Sequence, residues 1–202
     1  RRLAARPAPL VPKYDLILIN LPHPTTLQLN RFYTVEFWSL VRSLLAEDGV
    51  VVFPAPGSLA YLSAGMRDLH NALYATLAEV FPHVRPIPGD VTLWLASRSS
   101  EIESAETEDL VKRWDARAIP SDLITAFHIR LKFDERWLTW FWGSLGEGRA
   151  VVVNRDLRPS GLLYGLAYWN ELFSPGLIPY FELVGRLSLP WLVGLVILFA
   201  LA

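Results

Sequence analysis

The chain has 202 residues and a formal net charge of −1, so it is long enough for one well-buried core and offers no electrostatic reason to expect nucleic-acid binding. It contains no cysteine, which excludes disulfides, thiol catalysis and zinc–thiolate sites. Hydrophobic residues make up 52% of the chain, which is high for a soluble domain, and the excess lies at the C-terminus.

Residues 14–21 form a near-continuous apolar run, which is typical of a parallel strand buried on both faces. Pro22 and Pro24 end this strand, because proline cannot donate to the ladder. An amphipathic helix follows, and Asp48–Gly49 predict its C-terminal end. Its apolar stripe comprises Phe37, Leu40, Val41, Leu44 and Leu45. Residues 50–53 then predict a second short buried strand, and residues 54–57 a loop.

The next elements are a second amphipathic helix over residues 59–80 and two strands over 83–87 and 91–97. Pro88-Gly89-Asp90 joins the two strands in a tight turn. The order strand, helix, strand, helix and closing hairpin is that of the second half of a Rossmann-like methyltransferase sheet. The sequence therefore predicts an α/β fold, with a partial Rossmann-like domain over residues 1–97.

Residues 98–160 are predicted to form a helical or α+β extension of that domain. Within it, residues 100–117 form a polar helix with acidic residues early and basic residues late, which complements the helix dipole. An aromatic cluster follows at Trp137, Trp140, Phe141 and Trp142. It could pack in a core or lie at a membrane interface, and the preceding charges at 134–136 favour core packing.

Residues 161–202 are predicted to associate with a membrane. Residues 161–176 are apolar almost all round, which indicates an interfacial or short embedded helix. Residues 187–202 carry no charge and are interpreted as the start of a transmembrane helix cut by the end of the sequence, with a buried C-terminal helix as the alternative. Arginines precede this run, so residues 1–160 are expected to be cytoplasmic. These arginines are Arg149, Arg155, Arg158 and Arg186.

Four segments resemble the polyamine aminopropyltransferases, or spermidine synthases, and in particular their membrane-fused branch. They are YDLILINLPHPTTLQLNRFYTVEFW from residue 14, LLAEDGVVVF, VTLWLAS and NRDLRPSGLLYGLAYW. The family's two catalytic aspartates, in an Asp-x-x-Asp-Pro turn, fall on Asn20 and His23. In the fourth segment, Arg155 replaces the threonine of the family's usual Asn-Thr-Asp. The chain is thus similar to the C-terminal part of such a protein, with the catalytic aspartates replaced.

The resemblance implies a candidate site at Asn20 and His23, with Gln28, Tyr33 and Thr34 as substrate contacts from the following loop. The alternatives are that Asn20 and His23 only cap a turn and that the other three only pack the loop. Asparagine cannot take a proton or supply charge, whereas histidine can act as a base near neutral pH. No Gly-x-Gly-x-x-Gly loop is present for cofactor binding. No metal site is expected, because the four histidines lack metal-ligand spacing.

The implied ancestral reaction is aminopropyl transfer from decarboxylated S-adenosylmethionine to putrescine, with activity weak, altered or lost. One alternative is a non-catalytic pseudoenzyme module of a membrane complex. Another is a methyltransferase that uses ordinary S-adenosylmethionine, whose acceptor need not be a cation. The expected partners are a membrane, a polyamine and either a homo-oligomer or a membrane complex, with no nucleic acid.

Overall fold

A four-stranded mixed sheet with helices forms the centre of the computed structural model, which describes residues 13–146, 152–173 and 176. The strands are β1 (Tyr14–Leu18), β2 (Leu45–Pro56), β3 (His83–Ile87) and β4 (Val91–Ser97). Their order in the sheet is β1-β2-β4-β3. β1 pairs parallel to β2, and the other two pairings are antiparallel. This α/β arrangement is compatible with a Rossmann-like fold.

The helices lie between and after the strands. They are α1 (Leu27–Asn30), a short 3₁₀ turn (Arg31–Tyr33), α2 (Val35–Leu44), α3 (Ala64–Ala78), α4 (Glu101–Ser104), α5 (Thr107–Arg117), α6 (Ala126–Lys132), α7 (Glu135–Gly146) and α8 (Ser160–Phe173). Side-chain hydroxyls cap the N-termini of α2 and α3. Thr34 accepts from Phe37 N–H at the start of α2, and Ser63 accepts from Met66 N–H at the start of α3.

The core contains a buried histidine, His70 on α3. Its Nε2 lies 2.8 Å from Pro56 O, and its Nδ1 accepts a 3.1 Å hydrogen bond from Trp94 Nε1. These partners require a neutral ring with the proton on Nε2, which donates to Pro56. Burial lowers the pKa of His70 to about 4, which keeps this tautomer uncharged. His70 therefore joins α3 to both β2 and β4.

The prediction that the first strand is buried on both faces is wrong. β1 lies at the edge of the described sheet, and Leu16 and Leu18 are 54% and 68% exposed. Ile17, on the opposite face, packs against the core. The strand is also shorter than predicted, because it leaves the sheet before Asn20. An apolar run indicates a strand but does not determine how many neighbours cover it.

The predicted C-terminal end of α2 is also wrong. The helix stops at Leu44, and Asp48 and Gly49 lie inside β2, which extends without a break to Pro56. Leu45 is buried in the strand, where it pairs with Tyr14. Leu40, predicted on the apolar stripe, is 59% exposed. Pairing with β1 and β4 thus overrides the local helix-stop and loop signals.

Later elements follow the predictions more closely. β3 and β4 have the predicted limits, and α3 occupies the centre of the predicted helix. The polar helix divides at residues 105–106 into α4 and α5. The aromatic cluster packs inward, as favoured: Phe141 is fully buried, and Trp140 and Trp142 lie against the core.

The C-terminal segment is described only as far as α8 and residue 176. The segment predicted to be interfacial or embedded forms α8, which packs along α3. In the part of the chain that the structure describes, no helix is both long and apolar enough to cross a bilayer. The apolar run over residues 187–202 lies outside the described residues, and the predicted domain limits at 97 and 160 stay predictions.

Candidate functional site

The turn that follows β1 carries Asn20 and His23 at the carboxyl end of the strand. The Ile19 amide still donates to Val52 O at 2.9 Å, so the chain leaves the sheet immediately before Asn20. Asn20 is exposed, and His23 is half-buried. The carboxyl ends of strands are where open α/β sheets bind ligands. The two residues therefore occupy the position expected of a site.

The Tyr33 side chain hydrogen-bonds to the backbone of this turn. Its hydroxyl lies 3.0 Å from Leu21 O and 2.9 Å from Pro22 O, and it donates its single proton between these two carbonyls. Burial raises the pKa of the Tyr33 hydroxyl, so it remains a donor at any physiological pH. The structure thus places Tyr33 directly beneath the segment that separates Asn20 from His23. Its role as a substrate contact stays a prediction.

His23 faces helix α8. Its ring packs edge-on against the Tyr168 ring, with centroids 5.4 Å apart and planes at 71°. The buried Nε2 of His23 has no hydrogen-bond partner among the described residues. Burial lowers the pKa of His23, so the imidazole is neutral near pH 7. A neutral ring does not repel a cationic substrate, but it supplies no negative charge to attract one.

Helix α8 lies directly on the turn. A Cβ atom built on Gly165 would be 2.1 Å from Pro24 O, so only glycine allows the helix backbone to approach this closely. Nearly two turns later, Glu171 accepts hydrogen bonds from Ser63 Oγ at 2.6 Å and from Gly65 N–H at 3.0 Å. These contacts fix the C-terminal end of α8 to the N-terminus of α3. The helix therefore covers one side of the candidate site.

Hydrogen bonds of Asn154 connect the beginning of α8 to Tyr33, beneath the same turn. Its side-chain amide donates to Tyr33 O at 2.9 Å, and its Oδ1 accepts from Gly161 N–H at 3.0 Å. Its backbone N–H donates to Thr76 Oγ1, and its carbonyl accepts from Val35 N–H, both at 3.0 Å. This buried residue thereby connects α8 with α3 and with the segment before α2.

Thr34 and Asp156 form a second connection between these segments. Thr34 Oγ1 donates to Asp156 Oδ1 at 2.8 Å while also capping α2. The Asp156 backbone N–H donates to Glu36 Oε2 at 3.1 Å. Thr34 is completely buried, so its hydroxyl is occupied inside the protein. Its predicted contact with a substrate stays a prediction.

Gln28 lies elsewhere. It lines a cavity of about 490 Å³ at the beginning of α2, and neither Asn20 nor His23 belongs to that lining. The other residues around this cavity are Arg31, Phe32, Glu36, Phe37, Leu40 and Asp156. The structure therefore brings Tyr33 to the turn of Asn20 and His23 and places Gln28 at a separate concavity.

Three neighbours of the site were not predicted from the sequence: Tyr168, Glu171 and Asp156. Asp156 belongs to the NRDLRPSG segment, so the resemblance contained a signal for it. Tyr168 and Glu171 lie more than 140 positions after His23, and no local spacing relates them to it. Their arrangement depends on α8 packing against α3 and the turn.

No family model matches the chain. Two curated proteins match parts of it. A polyamine aminopropyltransferase of Oceanobacillus iheyensis is 48% identical over 42 residues, which is 21% of this chain and 8% of that protein. Polyamine aminopropyltransferase 2 of Bacillus cereus is 30% identical over 121 residues, which is 58% of this chain and 32% of that protein.

These matches agree with the resemblance found from the four sequence segments. The matched stretches span no more than about a third of the relatives' own lengths. Over part of its length, this chain is homologous to the polyamine aminopropyltransferases, the family of spermidine synthase.

Proposed function

We propose that this chain is a membrane-anchored, spermidine synthase-like protein in which ordinary aminopropyl transfer is weak, altered or lost. The ancestral donor is decarboxylated S-adenosylmethionine and the ancestral acceptor is putrescine. The observation that carries the proposal is the combination of partial homology to aminopropyltransferases with Asn20 and a half-buried, neutral His23 at the turn after β1.

The chemistry explains why these residues matter. In the proposed reaction, an amine nitrogen of putrescine attacks the aminopropyl carbon attached to the sulfonium. The new C–N bond forms as the C–S bond breaks, methylthioadenosine leaves, and the amine must lose a proton. Asn20 can accept a hydrogen bond from the amine but cannot take that proton. Loss of a positioned general base costs about 10²–10⁴-fold in rate.

His23 is a poor replacement for the missing base. Its Nε2 is enclosed beneath α8, and burial lowers the pKa of the ring, which weakens it as a proton acceptor. Its neutral form also provides no electrostatic attraction for a dication. Both effects support reduced transfer at this turn.

The reversion of both positions tests the proposal. The full chain is assayed with decarboxylated S-adenosylmethionine and putrescine, and spermidine and methylthioadenosine are quantified by chromatography. We expect Asn20→Asp with His23→Asp to raise the transfer rate by about 10²-fold or more. The matched control, Asn71→Asp with His128→Asp, makes the same substitutions away from the turn and should leave the transfer rate unchanged. A wild-type rate that the reversion leaves unchanged or lowers would contradict the proposal.

A second candidate is a non-catalytic module that binds a nucleoside or a partner without turnover. The position of α8 favours it, because Gly165 and Tyr168 pack on the turn where the family's carboxylates would act. Calorimetry distinguishes the candidates: binding of decarboxylated S-adenosylmethionine without product, in the wild type and the reverted variant, supports this module. Preferential binding of ordinary S-adenosylmethionine would instead support a methyltransferase.

The anchoring part of the proposal rests on residues 187–202, which contain no charged residue. We expect the full chain to float with phosphatidylcholine vesicles in a density gradient, with residues 1–160 on the cytoplasmic side in cells. Val193→Asp with Ile197→Asp should abolish flotation, because charge within a bilayer is costly. Flotation that survives this double substitution would contradict the anchor.

A further inference from the structure

Three large apolar side chains are exposed on one face of the last turn of α8. Trp169, Leu172 and Phe173 are 45%, 56% and 65% exposed. Their spacing of three and four residues places them side by side on the helix surface. The Trp169 and Phe173 rings also contact each other, with centroids 4.6 Å apart. An exposed apolar cluster of this kind marks an interaction surface.

A further exposed aromatic residue, Tyr61, lies in the loop next to this end of α8. It is 67% exposed and stands two residues before Ser63, whose hydroxyl donates to Glu171 on α8. That bond places the loop of Tyr61 beside the last turn of the helix. The loop follows β2, so the whole surface lies at the carboxyl edge of the sheet. We call Tyr61, Trp169, Leu172 and Phe173 the carboxyl-edge rim.

We propose that the carboxyl-edge rim contacts the interfacial layer of a lipid bilayer. Tryptophan and tyrosine are enriched at the level of lipid headgroups, where an apolar ring and a polar tip are both accommodated. Leucine and phenylalanine on the same face bury apolar area among the upper acyl chains. This inference rests on the anchoring part of the proposed function.

The sequence beyond the rim identifies lipid as the occupant. Residues 177–202 contain only two charged residues, Glu182 and Arg186, and none follows Arg186. The chain thus passes from α8 into a segment of membrane-like composition within a few residues of Phe173. An exposed aromatic cluster at that junction is where an interfacial contact belongs.

The contact would orient the protein. Tyr168, which packs on His23, is adjacent in sequence to Trp169 of the rim. One turn of an α-helix rises about 5.4 Å, which sets the scale of the distance between the rim and His23. The turn of Asn20 and His23 would therefore lie within about one or two helical turns of the bilayer surface. A ligand entering at the carboxyl edge of the sheet would approach beside the lipid headgroups.

The absence of cysteine from the chain permits a direct test by single-site labelling. Leu172→Cys places a polarity-sensitive fluorophore on the rim, and Leu40→Cys is the matched control, since Leu40 is also leucine and is 59% exposed on α2. Each labelled full chain is reconstituted into phosphatidylcholine vesicles. Quenching is then measured with aqueous iodide and with spin-labelled lipid, and circular dichroism verifies that both variants fold.

We expect the label at residue 172 to be quenched at least threefold more by headgroup-level spin labels than the label at residue 40, and correspondingly less by iodide. Because the rim carries aromatic and aliphatic groups, this difference should persist in 0.5 M salt and without anionic lipid.

Equal iodide quenching at the two positions in vesicle-bound protein would contradict the lipid contact of the carboxyl-edge rim. It would not contradict the membrane anchor at residues 187–202. Shielding of residue 172 from both quenchers would mean that protein covers it, either a segment of this chain or a second copy, and would also overturn the proposal. If the chain did not bind vesicles at all, both the membrane anchor and the lipid contact of the rim would be contradicted.

Discussion

The Asn154 side-chain amide donates a 2.9 Å hydrogen bond to the Tyr33 carbonyl, across 121 positions of sequence. Tyr33 in turn uses its hydroxyl to hold the carbonyls of Leu21 and Pro22. Through the backbone and side chain of Tyr33, these hydrogen bonds therefore connect the start of α8 to the turn of Asn20 and His23. Asn154, in the NRDLRPSG segment that resembles the family, thus connects α8 to this turn.

Asn154→Ala tests how much these hydrogen bonds stabilise the protein. The substitution leaves Tyr33 O and Gly161 N–H without their buried partners, so we expect a loss of about 2–4 kcal/mol in unfolding free energy. Urea denaturation followed by circular dichroism measures it. Asn71→Ala serves as the control, because it removes a single bond to Leu145 O from a less buried site and should cost about 1 kcal/mol. Equal losses would show that Asn154 has no special role.

The central strands and helices were predictable because their signals are local. Pro88-Gly89-Asp90 forms a turn between two β-rich segments, and the limits of β3 and β4 follow from it. The end of α2 was not predictable in this way. Asp48-Gly49 has the composition of a helix stop, yet Tyr14 and Leu45 pair as strand residues and extend β2 toward the helix. A partner distant in sequence decided that boundary.

The candidate site was predictable only in part. The turn of Asn20 and His23 followed from the resemblance, and the strand before it from an apolar run. What covers the turn did not follow, because Tyr168 reaches His23 only when α8 packs along α3. For the same reason the apolar composition of residues 161–176, which predicted an interfacial or short embedded helix, did not reveal that Gly165 packs closely on Pro24.

Gly165→Ala tests the close approach of α8 to the turn. The added methyl group would meet Pro24 O at 2.1 Å, and because that atom belongs to the backbone the helix must shift. We expect a destabilisation of about 1–3 kcal/mol in spite of the better helix propensity of alanine. Gly143→Ala on α7 is the control: its Cβ meets nothing within 4 Å, so it should stabilise by up to about 1 kcal/mol. Stabilisation by both substitutions would place α8 away from the turn.

Tyr168→Ala should alter the titration of His23. Burial lowers the pKa of His23, and the Tyr168 ring provides part of that burial, so its removal should raise the pKa toward 6.5. Tyr168→Phe keeps the ring and should leave the titration unchanged. NMR of the imidazole protons measures both, with His23→Gln identifying the resonance. An unchanged pKa in the alanine variant would mean that another group covers His23.

We expect the free energy of unfolding to fall in mild acid because His70 is buried in its neutral form. The pKa of His70 is lowered to about 4 in the folded protein, against about 6.5 in the unfolded chain. Above pH 6.5 both states are neutral and the histidine contributes no pH dependence. Between pH 6.5 and pH 4 the unfolded state binds a proton that the native state excludes, so unfolding becomes easier by up to about 3 kcal/mol. Below pH 4 the contribution is constant.

Urea midpoints measured from pH 7.5 to pH 4 give the slope, and comparison with His70→Gln isolates the contribution of this residue. Glutamine can still donate to Pro56 O, but it does not titrate. The wild type should therefore lose more stability than the variant over this interval. Parallel pH profiles would show that His70 is protonated as easily in the folded protein as in the unfolded chain. That result would contradict the assignment of a neutral His70 ring that is hydrogen-bonded to both β2 and β4.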